Sequence, residues 1–583
     1  MRYDPRIHCS PEEGTRFREG VYQPLDLASL PDAPESDAWP RRGSGPPFFR
    51  LDEVPRVPRL RHAVGPSVIA LGMGLGAGEF LLWPNLIAVN GFSIWWLFWV
   101  GVLTQFVVIG EIERWSLATG ESIFAGMGRM SRRPFWPWFF LVATLVSFFW
   151  PGWAAESADF TREVLNALAG REVITHWQPI ALIMLAIIWG ALALSRIVYN
   201  ALETFEIALV CAFFPLLFVA LLAAGVVPDD VMSLARGAVS IGSVPPRLLS
   251  GDQFPTLLIA VAYAGSGGTL LLAQSLWVRD KGFGMSAFQG RIAGIRGRNE
   301  HLEERGFAFD ADQPLAAERF RGWMKLAERE LLTTFVALIL LSVVITTLLV
   351  AATVGTGRED LAGGLTAMVL EQAERLRAHG GAWLEIVFLM GGAMILFSTQ
   401  VGIVDTVTRI TGDIFHHRVG RRTRELTLKR TFLGFLTLFV AASMGVIVLS
   451  WFGGESLRAL EPDFLVHIAG PFTIASMYCF AIVIAVLNTA YLPEPLRMPR
   501  WKLVGMYWAV VLWGWFSAEQ VSRSLLEHGL GLSGPIVTSI TFHPIRLAAY
   551  GAWLGSLAWL VWRTAAPGLL RAPGGSTAPP LRR

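Results

Sequence analysis

The stretch LGMGLGAGEFLLWP, residues 71–84, places four glycines and one carboxylate, Glu79, inside an otherwise apolar run. Each glycine costs a helix about 1 kcal/mol relative to alanine, so this cluster predicts local unwinding in the middle of a helix. A carboxylate near the centre of a bilayer costs at least about 2.5 kcal/mol unless it has a partner, a proton or a cation. Close packing of helices at small residues is the alternative explanation for the glycines, but it leaves Glu79 unexplained.

A second stretch, AGSGGTLLLAQS at residues 264–275, repeats this pattern. Aligning residues 76–82 with residues 265–271 matches two glycines and the closing pair of leucines. Unwound backbone inside a membrane is tolerated only where it is buried in protein or lines a cavity, and paired interruptions in two halves of a chain are typical of a transporter's binding site. We therefore predict that the substrate contacts Gly76, Ala77, Gly78, Glu79, Ala264, Gly265, Ser266, Gly267, Gly268 and Thr269.

The composition is typical of a polytopic membrane protein, since 53% of the 583 residues are hydrophobic and only 16% are charged. About twelve windows of about 20 apolar residues are each long enough to cross about 30 Å of hydrocarbon. The predicted fold class is therefore an all-α membrane protein of about twelve transmembrane helices, in which helices 1 and 6 are broken. The three cysteines are far apart in the sequence and predict neither a disulfide framework nor a metal site.

The distribution of basic residues predicts the orientation. With both termini inside, roughly three quarters of the 49 Lys and Arg residues fall on the cytoplasmic side. This split favours an even number of spans and location in the cell inner membrane, and it explains the basic pI without a nucleic-acid partner.

The predicted regions are a cytoplasmic disordered tail at 1–62, a transmembrane repeat with helices 1–5 at 63–226, an outside loop at 227–253, a second repeat with helices 6–10 at 254–490, two additional helices at 491–565 and a cytoplasmic tail at 566–583.

The second repeat contains the longest connection, a predicted cytoplasmic loop at 279–330. Its mixture of positive and negative charges is typical of short amphipathic helices on the membrane surface and equally of a solvated linker. The pattern leaves both readings open.

Two sets of charged residues lie inside predicted helices. In helix 3, Glu156, Asp159 and Glu163 are spaced to share one face, which is typical of a proton relay; the alternative is that the helix emerges into water there. In helix 8, Asp405, Arg409 and Asp413 recur every four residues. This ladder most simply neutralises itself through ion pairs within the helix near the cytoplasmic face, and an inner gate is the alternative.

The chain resembles the natural resistance-associated macrophage protein (Nramp) family of divalent metal transporters, especially its divergent bacterial branch. The resemblance rests on VGPSVIAL at 64–71, TQFVVIGEIERWSLATGES at 104–122 and YAGSGGTLLLAQSLWVRDKGFGM at 263–285, and it covers residues 63–501. It implies a leucine-transporter-like fold of two inverted repeats with five helices each. It also implies alternating access, in which one helix bundle rocks against the other.

The sequence departs from the family at the metal ligands. Metal-transporting members carry Asp-Pro-Gly-Asn in the first break and Met-Pro-His-Asn in the second, whereas this chain has GAGE at 76–79 and GSGG at 265–268. Glu79 is then the single candidate metal ligand of the two breaks, and without sulfur and imidazole the site should favour a hard divalent cation such as Mg²⁺ or Mn²⁺. The resemblance places a polar pair of helix 8 near the site, which makes Gln400 a candidate substrate contact.

We expect a Nramp-like secondary transporter, a symporter with a coupling proton, that moves a small solute and most readily a hard divalent cation. Its partners would be this substrate and the lipid bilayer. Two alternatives stay open: a transporter of a small organic solute, and a non-transporting receptor or scaffold derived from a transporter fold. Because protease, hydrolase and P-loop motifs do not occur in the sequence, we expect no catalytic residues, no enzymatic activity and no cofactor.

Overall fold

The computed structural model of the protein describes residues 30–33, 39, 46–51, 53–131, 133–250, 253–297, 305–362, 364–418, 427–452, 462–530 and 542–565. The predicted cytoplasmic tail at 566–583 and residues 1–29 of the predicted N-terminal tail lie outside the described residues. The described chain is almost entirely helical. Its extended structure is one pair of two-residue parallel strands, β1 (Phe49–Arg50) and β2 (Phe307–Ala308), together with a single bridge.

Helices fill the two predicted repeats and the predicted region of the two additional helices, and we number twelve helical stretches as spans 1 to 12. The first six are span 1 (Pro66–Gly74, Leu75–Leu82 and Trp83–Asn90), span 2 (Trp96–Thr119), span 3 (Phe135–Phe148 and Gly152–Ala169), span 4 (Gln178–Ala193), span 5 (Val198–Ala224) and span 6 (Phe254–Ala262, Gly268–Ala273 and Gln274–Lys281). The second six are span 7 (Pro314–Leu331, Leu332–Val336 and Ala337–Thr353), span 8 (Ala382–Arg418), span 9 (Leu428–Phe452), span 10 (Pro462–Ala490), span 11 (Arg500–Ser524) and span 12 (Pro544–Ala565).

Eight helical stretches of the described chain are long and apolar enough to cross a membrane: spans 1, 2, 3, 5, 7, 8, 9 and 10. Span 4 is equally apolar but has only 16 residues. The predicted class, an all-α polytopic membrane protein, is confirmed. The apolar window of span 1 is entirely buried inside the protein, against 28% for span 5, so span 1 lies at the centre of the bundle and span 5 at its periphery.

Shorter helices precede, connect or extend the spans. They are Leu60–Ala63, Phe92–Ile94, Ile123–Arg129, Pro228–Val239, Pro246–Ser250, Gly284–Phe288, Glu359–Leu361, Leu365–Gly380, Glu494–Leu496 and Leu525–Gly529. The predicted outside loop at 227–253 therefore contains two helices, and the first of them packs against Phe92–Ile94. The predicted cytoplasmic loop at 279–330 is also partly helical, because span 7 begins at Pro314 and continues without a break into the apolar segment.

The residues just before span 1 are ordered against the predicted cytoplasmic side of the protein. Strand β1 pairs with β2, which follows span 6, and the Trp323 indole of span 7 donates a hydrogen bond of 2.8 Å to the carbonyl of Pro55. Arg129 donates to the carbonyl of Pro46 at 2.8 Å. The predicted disordered tail at 1–62 is thus wrong for residues 46–51 and 53–62, because backbone and side-chain hydrogen bonds fix them.

Spans 1 and 6 cross in backbone contact at glycines. A Cβ atom at Gly74 would lie 2.9 Å from the carbonyl carbon of Gly265, and a Cβ atom at Gly78 would lie 2.0 Å from the carbonyl oxygen of Tyr263. Glycine is therefore required in span 1 for this approach, which a side chain at either position would prevent. The crossing joins the two stretches that the sequence marks as repeats.

Replacing Gly78 by alanine should destabilise the protein or push spans 1 and 6 apart, since the new methyl group would overlap a backbone carbonyl. We expect Gly78→Ala to lower the free energy of unfolding by about 1–3 kcal/mol or more, the usual cost of overpacking. The measurement is thermal unfolding of the purified protein in detergent, followed by circular dichroism. Gly190→Ala in span 4 is the matched control, because a Cβ atom there would meet nothing within 4 Å. Equal stability of the two variants would contradict the tight crossing.

Candidate functional site

The glycine stretch of span 1 forms a π-helical segment, Leu75–Leu82, between two α-helical segments. The backbone N–H of Trp83 donates to the carbonyl of Gly78, five residues back, as a π-helix requires. The predicted interruption of the α-helix is present, but the predicted unwinding of span 1 is wrong, because the chain stays helical. Segments of this kind are frequent at functional sites.

Hydroxyl groups from neighbouring spans bind the carbonyl groups around this segment. Thr346 of span 7 donates to the carbonyl of Glu79 at 2.7 Å, and Ser266 of span 6 donates to the carbonyl of Ala70. These side chains hydrogen-bond to carbonyl groups of span 1 that lie away from water.

Span 6 is unwound, as predicted. Its first helix ends at Ala262, residues 263–267 are not helical, and the chain resumes as a 3₁₀-helix at Gly268. Gly265 has φ +108°, a conformation that favours glycine because it has no Cβ atom. The carbonyl groups that end the first helix are bound from outside: Gln105 of span 2 donates to Ala262 at 2.9 Å, and Trp83 donates to Ala260 at 3.0 Å.

Glu79 links the two interruptions. Its side chain is completely buried, and its Oε1 atom accepts a hydrogen bond of 2.8 Å from the backbone N–H of Gly265. Its Oε2 atom is buried and has no hydrogen-bond partner, and the described residues place no lysine, arginine or histidine in an ion pair with it. The second acidic oxygen is thus available for a proton or a cation.

A second oxygen atom without a partner lies beside Gly265. The Oε1 atom of Gln105 is buried without a donor, and it would lie 2.7 Å from a Cβ atom built on Gly265. Glu79 and Gln105 therefore both direct a hydrogen-bond acceptor towards this part of the unwound backbone. An excess of buried acceptors is compensated by a donor or by a positive charge.

The remaining predicted glycines of the site lie against different neighbouring side chains. Gly76 lies against Thr399 of span 8, since a Cβ atom there would be 2.3 Å from the Thr399 hydroxyl. Gly267 lies against the ring of Tyr263, and Gly268 lies against Thr473 of span 10 and Phe148 of span 3. These glycines provide close packing, and their side of the break faces spans 3, 8 and 10.

Four other predicted contacts have different settings. Ala264 is buried beside Gly101 of span 2, and for Ala77 only the backbone is described. The hydroxyl of Thr269 lies 2.8 Å from that of Thr144 in span 3. Gln400 accepts a hydrogen bond of 3.1 Å from the backbone N–H of Ala154, where span 3 is interrupted. Its Nε2 atom is buried without a partner.

Sequence reasoning missed the side chains that complete the site from other spans. They are Gln105 of span 2, Thr144 of span 3, Tyr263 of span 6, Thr346 of span 7 and Thr473 of span 10, whose hydroxyl lies 3.1 Å from that of Tyr263. Only Gln105 carried a usable signal, as a lone amide inside an apolar run. Hydroxyl groups are too common in membrane helices to single out without coordinates.

The three acids of the predicted relay in span 3 are not brought together as a chain. Asp159 and Glu163 both pair with Arg162, at 2.8 and 2.7 Å, and all three of these side chains are partly exposed. Glu156 is buried and accepts a hydrogen bond of 2.5 Å from Thr366, which lies in the connecting helix Leu365–Gly380. The shared face therefore divides into a peripheral ion pair and a separate buried carboxylate.

The ladder of span 8 joins span 8 to span 6. Arg409 binds Asp405 within span 8 at 2.9 Å and also pairs with Asp280 of span 6. Asp413 binds Arg279 of span 6 at 2.6 Å and accepts a hydrogen bond of 2.6 Å from Ser122. Of these ion pairs, only Asp405–Arg409 is the predicted pair within one helix. Arg279 and Asp280, which follow the 3₁₀-helical segment of span 6, complete the network. All of these charged side chains are buried.

The acceptor atoms without a partner beside the break of span 6, Glu79 Oε2 and Gln105 Oε1, are both oxygens. The structure contains, within its described part, no group of three or more His, Cys, Asp or Glu side chains placed to hold a metal ion. Any cation at Glu79 would therefore depend on this one carboxylate, the Gln105 amide oxygen and backbone carbonyl groups.

The fold is similar to that of solved transporters. No family model and no curated protein matches the sequence. A mutant of the manganese transporter of Eremococcus coleocola is similar with a TM-score of 0.58 and 12% sequence identity, covering 86% of this chain and 94% of that one. The same transporter in complex with an aromatic bis-isothiourea compound gives 0.58 and 14%, covering 88% and 98%. The predicted leucine-transporter-like fold class is thereby confirmed.

The network between spans 6 and 8 should be costly to break. Removing the charge of Arg409 leaves the buried carboxylate of Asp405 without an ionic partner and that of Asp280 with only Arg279, at 3.5 Å, so we expect Arg409→Gln to lose about 3–5 kcal/mol of stability. The partly exposed Arg162 of span 3 is the control, since Arg162→Gln should cost at most about 1 kcal/mol. Thermal unfolding in detergent would compare the two variants, and a larger loss for Arg162→Gln would contradict the assignment.

Proposed function

We propose that the protein is a secondary transporter that moves a small solute across the cell inner membrane by alternating access. The substrate would bind between the π-helical segment of span 1 and the unwound backbone of span 6. The observation that carries this proposal is the buried carboxylate of Glu79, whose Oε1 atom is bound by Gly265 in the break of span 6 and whose Oε2 atom has no hydrogen-bond partner. Both termini would be cytoplasmic, and an ion gradient would drive uptake.

The charge of the site favours a cation. A buried carboxylate is stable only when it is protonated or paired, and Glu79 is hydrogen-bonded to a backbone N–H but not ion-paired among the described residues. The nearby amide oxygen of Gln105 is a further acceptor. An anion beside these groups would be repelled, whereas a divalent cation would be attracted.

The ligand types favour a hard cation. Carboxylate, amide and carbonyl oxygens suit Mg²⁺, Ca²⁺ and Mn²⁺, whereas soft metals prefer sulfur and imidazole. The sulfur atom of span 1, in Met73, accepts a hydrogen bond of 3.4 Å from Thr406 and packs against Gly402, both in span 8. It is therefore engaged with span 8 and is a poor candidate for the break of span 6.

In this proposal the described arrangement is the closed state of the site. Spans 1 and 6 touch through Gly74 and Gly78, and the ion pairs of spans 6 and 8 close the predicted cytoplasmic side. Release of a bound solute to that side would require these pairs to separate. The same closure is compatible with a receptor or scaffold that does not transport, so a flux measurement has to distinguish the two functions.

Replacing Glu79 by glutamine should abolish transport without unfolding the protein, because the amide keeps the shape of the side chain and removes its charge. We expect divalent-cation uptake into proteoliposomes to fall at least about tenfold, since even outer-shell changes cost a metal site about 10–100-fold. Size-exclusion profiles in detergent should match those of the unmodified protein.

The control for this variant is Glu318→Gln, which makes the same change on the exposed face of the helix Pro314–Leu331. It should leave uptake unchanged. Unchanged uptake in Glu79→Gln would remove Glu79 from the mechanism. If the unmodified protein moves neither divalent cations nor small organic solutes under any gradient, the receptor or scaffold function would take precedence.

The oxygen ligands also predict the order of metal preference. Mg²⁺ or Mn²⁺ should compete for the site better than Cd²⁺, because Cd²⁺ prefers sulfur. Isothermal titration calorimetry of the purified protein would measure the three affinities directly. Tighter binding of Cd²⁺ would show that a sulfur or imidazole ligand contributes to the site.

A further inference from the structure

A group of basic side chains lies on the predicted cytoplasmic side, where span 4 is joined to span 5 and span 9 begins. The connection at 194–197 contains Arg196, the segment that follows span 6 contains Arg296, and the first turn of span 9 contains Lys429. We call these three side chains the basic surface. The proposed substrate site uses none of them.

The segment that follows span 6 is bound to the connection between spans 4 and 5. The backbone N–H of Ile295 donates to the carbonyl of Ala193 at 2.7 Å. A Cβ atom at Gly297 would lie 1.9 Å from the carbonyl oxygen of Arg196, so a side chain at this position would prevent the contact. The backbone contacts therefore hold Arg196 and Arg296 close to each other.

Lys429 reaches the same segment from span 9. Its ammonium group donates to the carbonyl of Gly297 at 2.9 Å and to that of Ile295 at 3.3 Å. An ammonium group has three N–H donors, so one donor remains for a further acceptor. The three positive charges thus come from three separate parts of the chain that meet at one place.

Acidic residues of the same segments do not balance these charges. Residues 191–202, 289–297 and 427–436 contain five basic residues and no Asp or Glu. Arg196 and Arg296 are exposed, and no ion pair of the described residues involves either of them or Lys429. Positive charges of this kind attract an anion.

The basic surface lies at the level of the lipid headgroups. Only residues 194–197 separate the apolar helices of spans 4 and 5, so this connection has to lie where hydrocarbon meets water. Beside it, Leu194 and Ile295 are 39% and 50% exposed. Exposed apolar side chains next to basic ones suit a lipid, which joins a charged headgroup to acyl chains, better than a soluble anion.

We infer that the basic surface binds the headgroup of an anionic phospholipid of the cytoplasmic leaflet. The phosphate oxygens would accept hydrogen bonds from the guanidinium groups of Arg196 and Arg296 and from the remaining N–H of Lys429. Leu194 and Ile295 would contact the adjoining part of the acyl chains. The bound lipid would connect spans 4, 5 and 9 to the segment that follows span 6.

Thermal unfolding of the purified, delipidated protein in detergent tests this inference, with added phosphatidylglycerol, phosphatidylcholine or inorganic phosphate. A ligand that binds the folded protein raises its unfolding temperature. We expect a saturable rise with phosphatidylglycerol and no comparable rise with phosphatidylcholine, which has the same acyl chains but no net charge. Inorganic phosphate at the same concentration should have no effect, because it lacks the acyl chains.

The double variant Arg196→Gln/Arg296→Gln should weaken this response. The phosphatidylglycerol concentration for the half-maximal rise should increase at least about tenfold, since each basic residue beside an anionic lipid strengthens binding several-fold. Both side chains are exposed, so the variant should fold. Arg296→Gln alone is the smaller change, and it decides the matter if the double variant does not fold.

The matched control is Arg321→Gln/Lys325→Gln, which removes two exposed basic side chains from the helix Pro314–Leu331 of span 7. It changes the net charge by the same amount outside the basic surface and should keep the response to phosphatidylglycerol.

Equal unfolding temperatures with phosphatidylglycerol and phosphatidylcholine would overturn the inference. It would equally fail if the variants of Arg196 and Arg296 respond as the unmodified protein does. A rise with inorganic phosphate as large as that with phosphatidylglycerol would show that the surface binds a free anion, against the lipid assignment. None of these outcomes depends on whether the protein transports a solute.

Discussion

The structure depends on the direct backbone contact between spans 1 and 6. Glycines at 74 and 78 allow it, and the hydrogen bond from Gly265 to the carboxylate of Glu79 fixes its register. Side chains of other spans bind the carbonyl groups of Ala70, Glu79, Ala260 and Ala262 around the interruptions, where a membrane interior offers no water. Spans 2, 7, 8 and 10 are thus arranged around the crossing, and their hydroxyl and amide groups face it.

Most of the fold could be predicted from the sequence because span length and hydrophobicity are local properties. The interruption of span 6 was also predictable, since clustered glycines disfavour a helix wherever they occur. The π-helical form of span 1 was not. The Glu79 carbonyl of this segment is bound by the hydroxyl of Thr346, which lies far away in the sequence and reaches it only in the folded protein.

The charged groups illustrate the same limit. Spacing correctly predicted the pair of Asp405 with Arg409, because residues four apart face each other on a helix. It gave no information about Asp280, which reaches Arg409 from another span. In span 3, Asp159 and Glu163 both bind Arg162 of the same helix. The three acids share a helix face, but they are not arranged as the predicted proton relay.

The strand pair β1–β2 has a consequence for biosynthesis. Strand β1 precedes span 1, but its partner β2 follows span 6, so the pair forms only after half of the chain has been synthesised. Until then the edge of β1 has no partner from this sheet. Strand β1 would therefore dock late, after the first six helices have been inserted into the membrane.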